Sequence, residues 1–256
     1  MAAKLLVNGE AATGKTTLLA SLDPETTLVI SRDNKTFGLP IPHQLVTEYV
    51  SMDSFLYGAD VIDEDDKEVH IDGVVDKIEA FNTAYGHYPE TVVFDTVSQL
   101  TMDVINKALQ TPNVYGSQGA EINKELGKFV DFLHEYLELG DINIILLNHV
   151  VKDKSEDATE YVAFGQGQFK NKGGFFSIVD ESVTIAQEGN YLVVYTKGSL
   201  KQARSKLDIP AKMYIESLGD PIKSKKLKEG ERYYNLQEHL QMIIDANKKV
   251  ETKFQL

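Results

Sequence analysis

Eight residues near the N-terminus, Gly9-Glu10-Ala11-Ala12-Thr13-Gly14-Lys15-Thr16, constrain this chain more than any other stretch. They fit G-x-x-x-x-G-K-[ST], a loop whose glycines let the backbone curl until several N–H groups point at one phosphate chain. The flanks agree. Lys4-Leu5-Leu6-Val7 reads as a short apolar strand, and Thr17-Leu18-Leu19-Ala20-Ser21-Leu22 is apolar at helical spacing. A helix beginning there adds partial positive charge at its N-terminus. In this arrangement Lys15 reaches the β- and γ-phosphates and the Thr16 hydroxyl ligates Mg²⁺. The expected nucleotide-binding run is Gly9, Glu10, Ala11, Ala12, Thr13, Gly14, Lys15 and Thr16, with Thr17 following.

The rest of the composition narrows the class. At 256 residues, 42% hydrophobic and 25% charged, the chain suits one large α/β domain, or a domain with a small appendage. It has no cysteine, which excludes disulfides and cysteine-ligated zinc and fits a reducing compartment such as the cytoplasm. No apolar run approaches the roughly 18 residues of a membrane span. A core strand starts almost at once, so no signal peptide is expected. The net charge of −13 argues against bulk attraction to nucleic acid. Yet Thr196–Lys228 holds nine Lys/Arg against three Asp/Glu. The acidic residues of Asp60–Glu79, including Asp63-Glu64-Asp65-Asp66, read as a solvated hairpin or loop more than a metal site.

Strands are expected at Thr26–Ser31, Gln44–Val50, Thr91–Thr96, Asp141–His149, Phe175–Ala186 and Tyr191–Thr196. Helices are expected at Gly73–Tyr85, Val97–Leu109 and Glu121–Leu139, the last stopped by Gly140. Val151–Gly174 reads as one long, polar, glycine-punctuated loop, and such loops inside compact domains are usually functional or disordered. Residues 1–210 form the expected core. Residues 211–256 form a basic extension ending in a helix over Leu236–Lys249. Alternating strands and helices imply a mostly parallel sheet covered on both faces, with the late hairpin as an antiparallel edge. A ligand then sits at the strands' carboxyl ends, where Gly9–Thr16 meets Asp95.

Asp95 is the second strong signal. An apolar strand ending in Asp places a carboxylate at the tip of a neighbouring strand, opposite Thr16 across a Mg²⁺. The alternative is an Asp that caps the next helix. The following residue is Thr96, where many ATPases carry a catalytic Glu. Gly9 to Thr17, the strand ending Asp95-Thr96 and the later Leu146-Leu147-Asn148-His149 together resemble the RecA-like class of P-loop ATPases. More closely, with Thr196-Lys197 through Arg204, the chain resembles phage-encoded RecA-core ATPases grouped with Sak-type single-strand annealing proteins. The resemblance covers Lys4 to Pro210.

That resemblance implies further roles. The water-orienting base falls at the end of the second strand, on Asp33, where the family's usual residue is Glu; a surface turn is the alternative. Asn148 and His149 fall where a γ-phosphate sensor sits, or they satisfy buried backbone groups. Val151–Gly174 matches by position a DNA-binding loop. Lys152, Lys154, Lys170 and Lys172 would meet phosphates there, Phe164 and Phe169 would stack on bases, and Gly165, Gly167, Gly173 and Gly174 would let the loop reorder. A lid or interface loop is the other reading. Gln110–Ala120 matches a first such loop. Lys197 and Arg204, beside Lys201 and Lys206, are candidates for a cation completing a neighbouring subunit's site, or they form a solvated basic surface. The implied activity is Mg²⁺-dependent ATP hydrolysis. The implied partners are single-stranded DNA, further copies in a ring or filament, and phage single-strand-binding or replication proteins, in a host cytoplasm and without a membrane. Two other readings stay open: a helicase core or loader acting on protein, and a P-loop kinase of a small metabolite.

Overall fold

A computed structural model of the chain describes residues 2–32, 40–46, 49–62, 66–113, 116–154, 159–163, 174–198, 202–216 and 223–254, with backbone alone for 151–154, 159–163 and 250–254. Among the described residues nine strands make one sheet: β1 (Lys4–Gly9), β2 (Thr27–Ser31), β3 (His43–Leu45), β6 (Thr91–Asp95), β7 (Asn143–Lys154), β8 (Thr159–Ala163), β9 (Glu181–Glu188), β10 (Tyr191–Tyr195) and β11 (Lys212–Tyr214). Its order is β11-β10-β9-β1-β7-β6-β2-β3, with β8 paired to β7. The pairs from β3 through to β9 are parallel, whereas β10, β11 and β8 add antiparallel ladders. A separate hairpin, β4 (Ala59–Ile62) with β5 (Glu68–Ile71), takes up the acidic stretch.

The apolar runs of the central strands follow from burial on both faces. On β7, Ile144 and Leu146 join Leu6, Phe94 and Ile30 in one apolar layer, while Ile145 and Leu147 join Leu5, Val7 and Val93 in the other. The first layer is closed by α2 (Met52–Tyr57), α3 (Val74–Tyr85), α4 (Val97–Leu109) and α5 (Ser117–Phe132). The second is closed by α1 (Lys15–Leu18) and α6 (Leu236–Phe254), through Leu18, Leu19, Leu236, Leu240 and Ile243. The segment after Pro210 thus shares the central core: β11 extends the sheet, and α6 covers it.

Several elements differ from expectation. The helix after the loop is one turn, Lys15–Leu18, continued as a 3-10 turn to Ser21. Asp23 precedes Pro24 and is disfavoured from helical backbone, so the helix has little room to grow. The expected strand Gln44–Val50 is only His43–Leu45, and α2 follows it, capped by Ser51 accepting from the Ser54 amide. The expected strand Phe175–Ala186 begins as a 3-10 turn over Gly174–Ser177 and becomes extended only at Glu181. The long helix Glu121–Leu139 is α5 followed by a wider, π-type turn over Leu133–Glu138. Val151–Gly174 is not structureless: β7 runs on to Lys154 and pairs back with Thr159–Ala163, Lys152 opposite Tyr161. The β-prone run Thr159-Glu160-Tyr161-Val162-Ala163 is the signal that marks the return strand.

Candidate active site

The loop after β1 has the tight curl that phosphate binding needs. A Cβ on Gly9 would lie 2.6 Å from Thr13 Oγ1 and 3.1 Å from the Ile185 carbonyl oxygen, so only glycine fits this close approach. Thr13 Oγ1 donates to the Glu10 carbonyl at 2.8 Å and closes the turn. Gly14 takes the left-handed conformation, φ 80°, with Leu192 directly over it. Lys15 is buried, and its Nζ donates to the carbonyls of Gly9 and Glu10 at 2.8 and 2.7 Å. His149 Nδ1 stands 3.1 Å from the same Nζ. A lysine ammonium only donates, so Nδ1 is the acceptor and the neutral ring carries its proton on Nε2. α1 is a single turn, too short for a sizeable helix dipole, so the positive groups at this loop are its backbone amides and the Lys15 ammonium.

Thr16 Oγ1 donates to Asp95 Oδ2 at 2.8 Å, joining residues 79 positions apart. Asp95 is buried, and its carbonyl accepts from the Arg32 amide at 2.9 Å. The capping role that Asp95 could have taken falls to Thr96, whose hydroxyl accepts from the Gln99 amide at 3.3 Å. The sheet order corrects one expectation: β6 is not the neighbour of β1, because β7 lies between them. The middle of β7, at Asn148 and His149, therefore lies between Lys15 and Asp95. The Thr16–Asp95 hydrogen bond brings a hydroxyl and a carboxylate together beside the loop, and these are the hard oxygen ligands that Mg²⁺ takes. Thr16 and Asp95 thus fit Mg²⁺ chemically, and the curled loop with Lys15 fits a polyphosphate.

Asn148 and His149 divide their tasks. The His149 ring meets Lys15, whereas Asn148 turns into the interior, 1% exposed. A directed chain of hydrogen bonds passes through it. The His149 amide donates to Ser98 Oγ at 2.7 Å, and Ser98 donates to Asn148 Oδ1 at 2.7 Å. Asn148 Nδ2 donates to Asn8 Oδ1 at 3.0 Å, and Asn8 Nδ2 donates to the Gln202 carbonyl at 3.1 Å. Each link sets the orientation of the next amide. Ser98 and Asn8 escaped the sequence reading. Their signal was a polar residue at a core position, one inside an apolar strand and one in the first turn of α4.

The remaining candidates are distributed as follows. Asp33 lies outside the described residues. Its neighbour Arg32 is tied by Nε to Asp103 at 3.1 Å. Arg204 is engaged within its own chain: Nη2 donates to the carbonyls of Val179 and Phe176 at 2.6 and 3.2 Å, and the guanidinium lies 4.6 Å from the Phe176 ring centroid. Lys197 is exposed just after β10, and Lys206 is exposed with its amide on Glu181. Lys152 and Lys154 sit on the backbone of β7. Phe164, Gly165, Gly167, Phe169, Lys170, Lys172, Gly173 and Lys201 lie outside the described residues.

A family profile described as an AAA domain matches residues 1–243. No curated protein matches the chain significantly. The profile spans the loop, both apolar layers and the first eight residues of α6, and the fold it implies is the α/β P-loop architecture seen here. The chain belongs to the AAA domain family, as a P-loop ATPase-type domain.

Proposed function

We propose that the chain is a Mg²⁺-dependent ATPase of the RecA-like kind, whose nucleotide state governs its hold on single-stranded DNA. The observation that carries the hydrolytic reading is the convergence of Lys15, Thr16, Asp95 and His149 at the carboxyl ends of β1 and β6 and at the point on β7 that lies beside them. The loop amides and Lys15 bind the β- and γ-phosphates. Thr16 and Asp95 would hold the Mg²⁺, which would supply positive charge against the phosphate oxygens. Water attacks the γ-phosphorus, the bond to the β-γ bridging oxygen breaks, and ADP and inorganic phosphate leave. Asp33 is the candidate that orients the water, through the resemblance alone. His149 senses the γ-phosphate through the Lys15 ammonium it shares, and Asn148 holds β7 in place beside β1 and α4.

The same strand supports the DNA reading. β7 runs from His149 straight into the β7–β8 hairpin carrying Lys152 and Lys154. A change at Lys15 therefore reaches the hairpin through one continuous element. Assembly into a ring or filament, a role in phage recombination or annealing, and work beside phage single-strand-binding or replication proteins follow from the Sak-type resemblance. A trans-acting Arg204 would have to leave the Val179 and Phe176 carbonyls; exposed Lys197 has no such bonds to break among those described. The test is phosphate release from ATP with and without oligothymidylate at low salt. Stimulation by the oligonucleotide is expected. Hydrolysis indifferent to DNA would shift the reading to a motor acting on protein.

A further inference from the structure

Three tyrosines gather at the antiparallel edge of the sheet. On β10, Leu192 and Val194 pack toward the layer closed by α6, so Tyr191 and Tyr195 point to the opposite face. On β11, Met213 joins that same layer, which turns Tyr214 and Lys212 to the tyrosine side. Tyr191 and Tyr214 meet edge to face, centroids 6.1 Å apart. Lys225 Nζ lies 5.1 Å from the Tyr191 centroid and 5.8 Å from that of Tyr214. Lys212 Nζ lies 5.5 Å from Tyr214 and 5.9 Å from Tyr195. All three rings are partly exposed. Tyr191 and Tyr195 are four residues apart, about 13 Å along a strand, which is room for more than one base.

The surroundings point to one class of partner. On a chain of net charge −13, this edge sets Lys212 and Lys225 against the rings, and Lys225 belongs to the basic run Lys223-Ser224-Lys225-Lys226. The basic segment is fastened there: the Lys223 amide donates to the Asn190 carbonyl at 2.8 Å, and Tyr233 OH donates to the Lys225 carbonyl at 2.7 Å. Glu188, the acid facing this group, is held by Lys212 at 2.6 Å and by the Tyr195 hydroxyl. The patch also adjoins the hairpin, because Tyr195 packs on Val150 of β7 and Ala186 of β9. An acidic peptide would use the lysines and leave the rings idle. A single-stranded nucleic acid uses both, stacking bases on aromatic faces while its phosphates take the ammonium groups.

We propose that Tyr191, Tyr195 and Tyr214, with Lys212 and Lys225, form a stacking platform for a single-stranded nucleic acid, separate from the nucleotide site. The proposal deepens the single-strand binding inferred above by giving it a second surface beside the β7–β8 hairpin. Labelled oligothymidylate is titrated against the full chain by fluorescence anisotropy, for wild type, Tyr191→Leu, Tyr214→Leu, Lys225→Gln and the hairpin variant Lys152→Gln. Melting temperature checks that each variant folds. Each leucine variant should bind about tenfold more weakly. Lys225→Gln should flatten the slope of log affinity against log salt by about 0.7, one phosphate contact on a single strand. The chain has no tryptophan, so oligothymidylate should also quench the intrinsic tyrosine emission, and less so in the leucine variants. Wild-type affinity in both leucine variants and in Lys225→Gln, with loss only in Lys152→Gln, overturns the platform and leaves the single-strand reading standing. No binding by wild type at low salt overturns both. Preference for an oligoglutamate probe over oligothymidylate overturns the platform in favour of a protein partner.

Discussion

Asn148→Ala is the most informative single change to the interior, because the structure sets its size. Asn148 donates to Asn8 and accepts from Ser98, and it is 1% exposed. Truncation leaves the Ser98 hydroxyl without its acceptor and Asn8 Oδ1 without its donor. An unsatisfied buried polar group costs about 1–3 kcal/mol, and the small cavity adds to that. Offset by partial relaxation of the Ser98 rotor, the expected loss is about 3 kcal/mol. For a domain of this size each kcal/mol moves Tm by about 2–4 °C, so Tm should fall by about 6–12 °C. Asn8→Ala should cost a similar amount. The double variant should lose about 1 kcal/mol less than the sum, because the two share one hydrogen bond. Calorimetry on the four proteins measures the cycle. A Tm within about 1 °C of wild type for Asn148→Ala, or strict additivity, would refute the directed chain of hydrogen bonds.

Other consequences follow from the same geometry. Gly14→Ala puts a Cβ on a left-handed residue, 3.1 Å from Leu192 Cδ1; it should cost about 1–2 kcal/mol and weaken nucleotide binding, read by calorimetric titration. Thr16→Ala should leave Mg²⁺-free nucleotide affinity near wild type and abolish the Mg²⁺-dependent gain in phosphate release. Glu181 is buried; desolvation alone would raise its pKa, but His239, the Ser205 hydroxyl and the Lys206 amide outweigh it and hold the carboxyl below its ordinary value of 4.5. A carboxylate with a lowered folded pKa stabilises fully above the ordinary value and loses that stabilisation as pH falls through the folded value. Glu181→Gln should therefore lower stability at neutral pH and flatten the acid limb of a Tm-against-pH curve below about pH 4.5.

The parts of the fold readable from sequence are those fixed by local chemistry. Val97–Leu109 emerges with its expected bounds because Thr96 caps it and its apolar residues keep helical spacing. The apolar runs before Asp95 and before Asn148 were legible because burial on both faces leaves a run unbroken, although the second strand continues past His149 to Lys154. What escaped is decided by packing at a distance. Six residues, Met52–Tyr57, are too few for a periodic signal, and α2 exists because Met52, Phe55 and Leu56 drop into the layer over β6. The insertion of β7 between β1 and β6 leaves no trace in either strand, yet it puts His149, not Asn148, against Lys15. The tyrosine platform was invisible for the same reason: Tyr214 meets Tyr191 only once β11 pairs with β10.

If the loop amides, Lys15 and Asp95 together bind and hydrolyse ATP, turnover must depend on both side chains and on Mg²⁺. Phosphate release is measured on wild type, Lys15→Ala and Asp95→Asn, with Mg²⁺ and with a chelator. Mg²⁺-dependent turnover by wild type, lost in both variants while their melting curves remain cooperative, is the predicted result. Turnover by Lys15→Ala at the wild-type rate would contradict it.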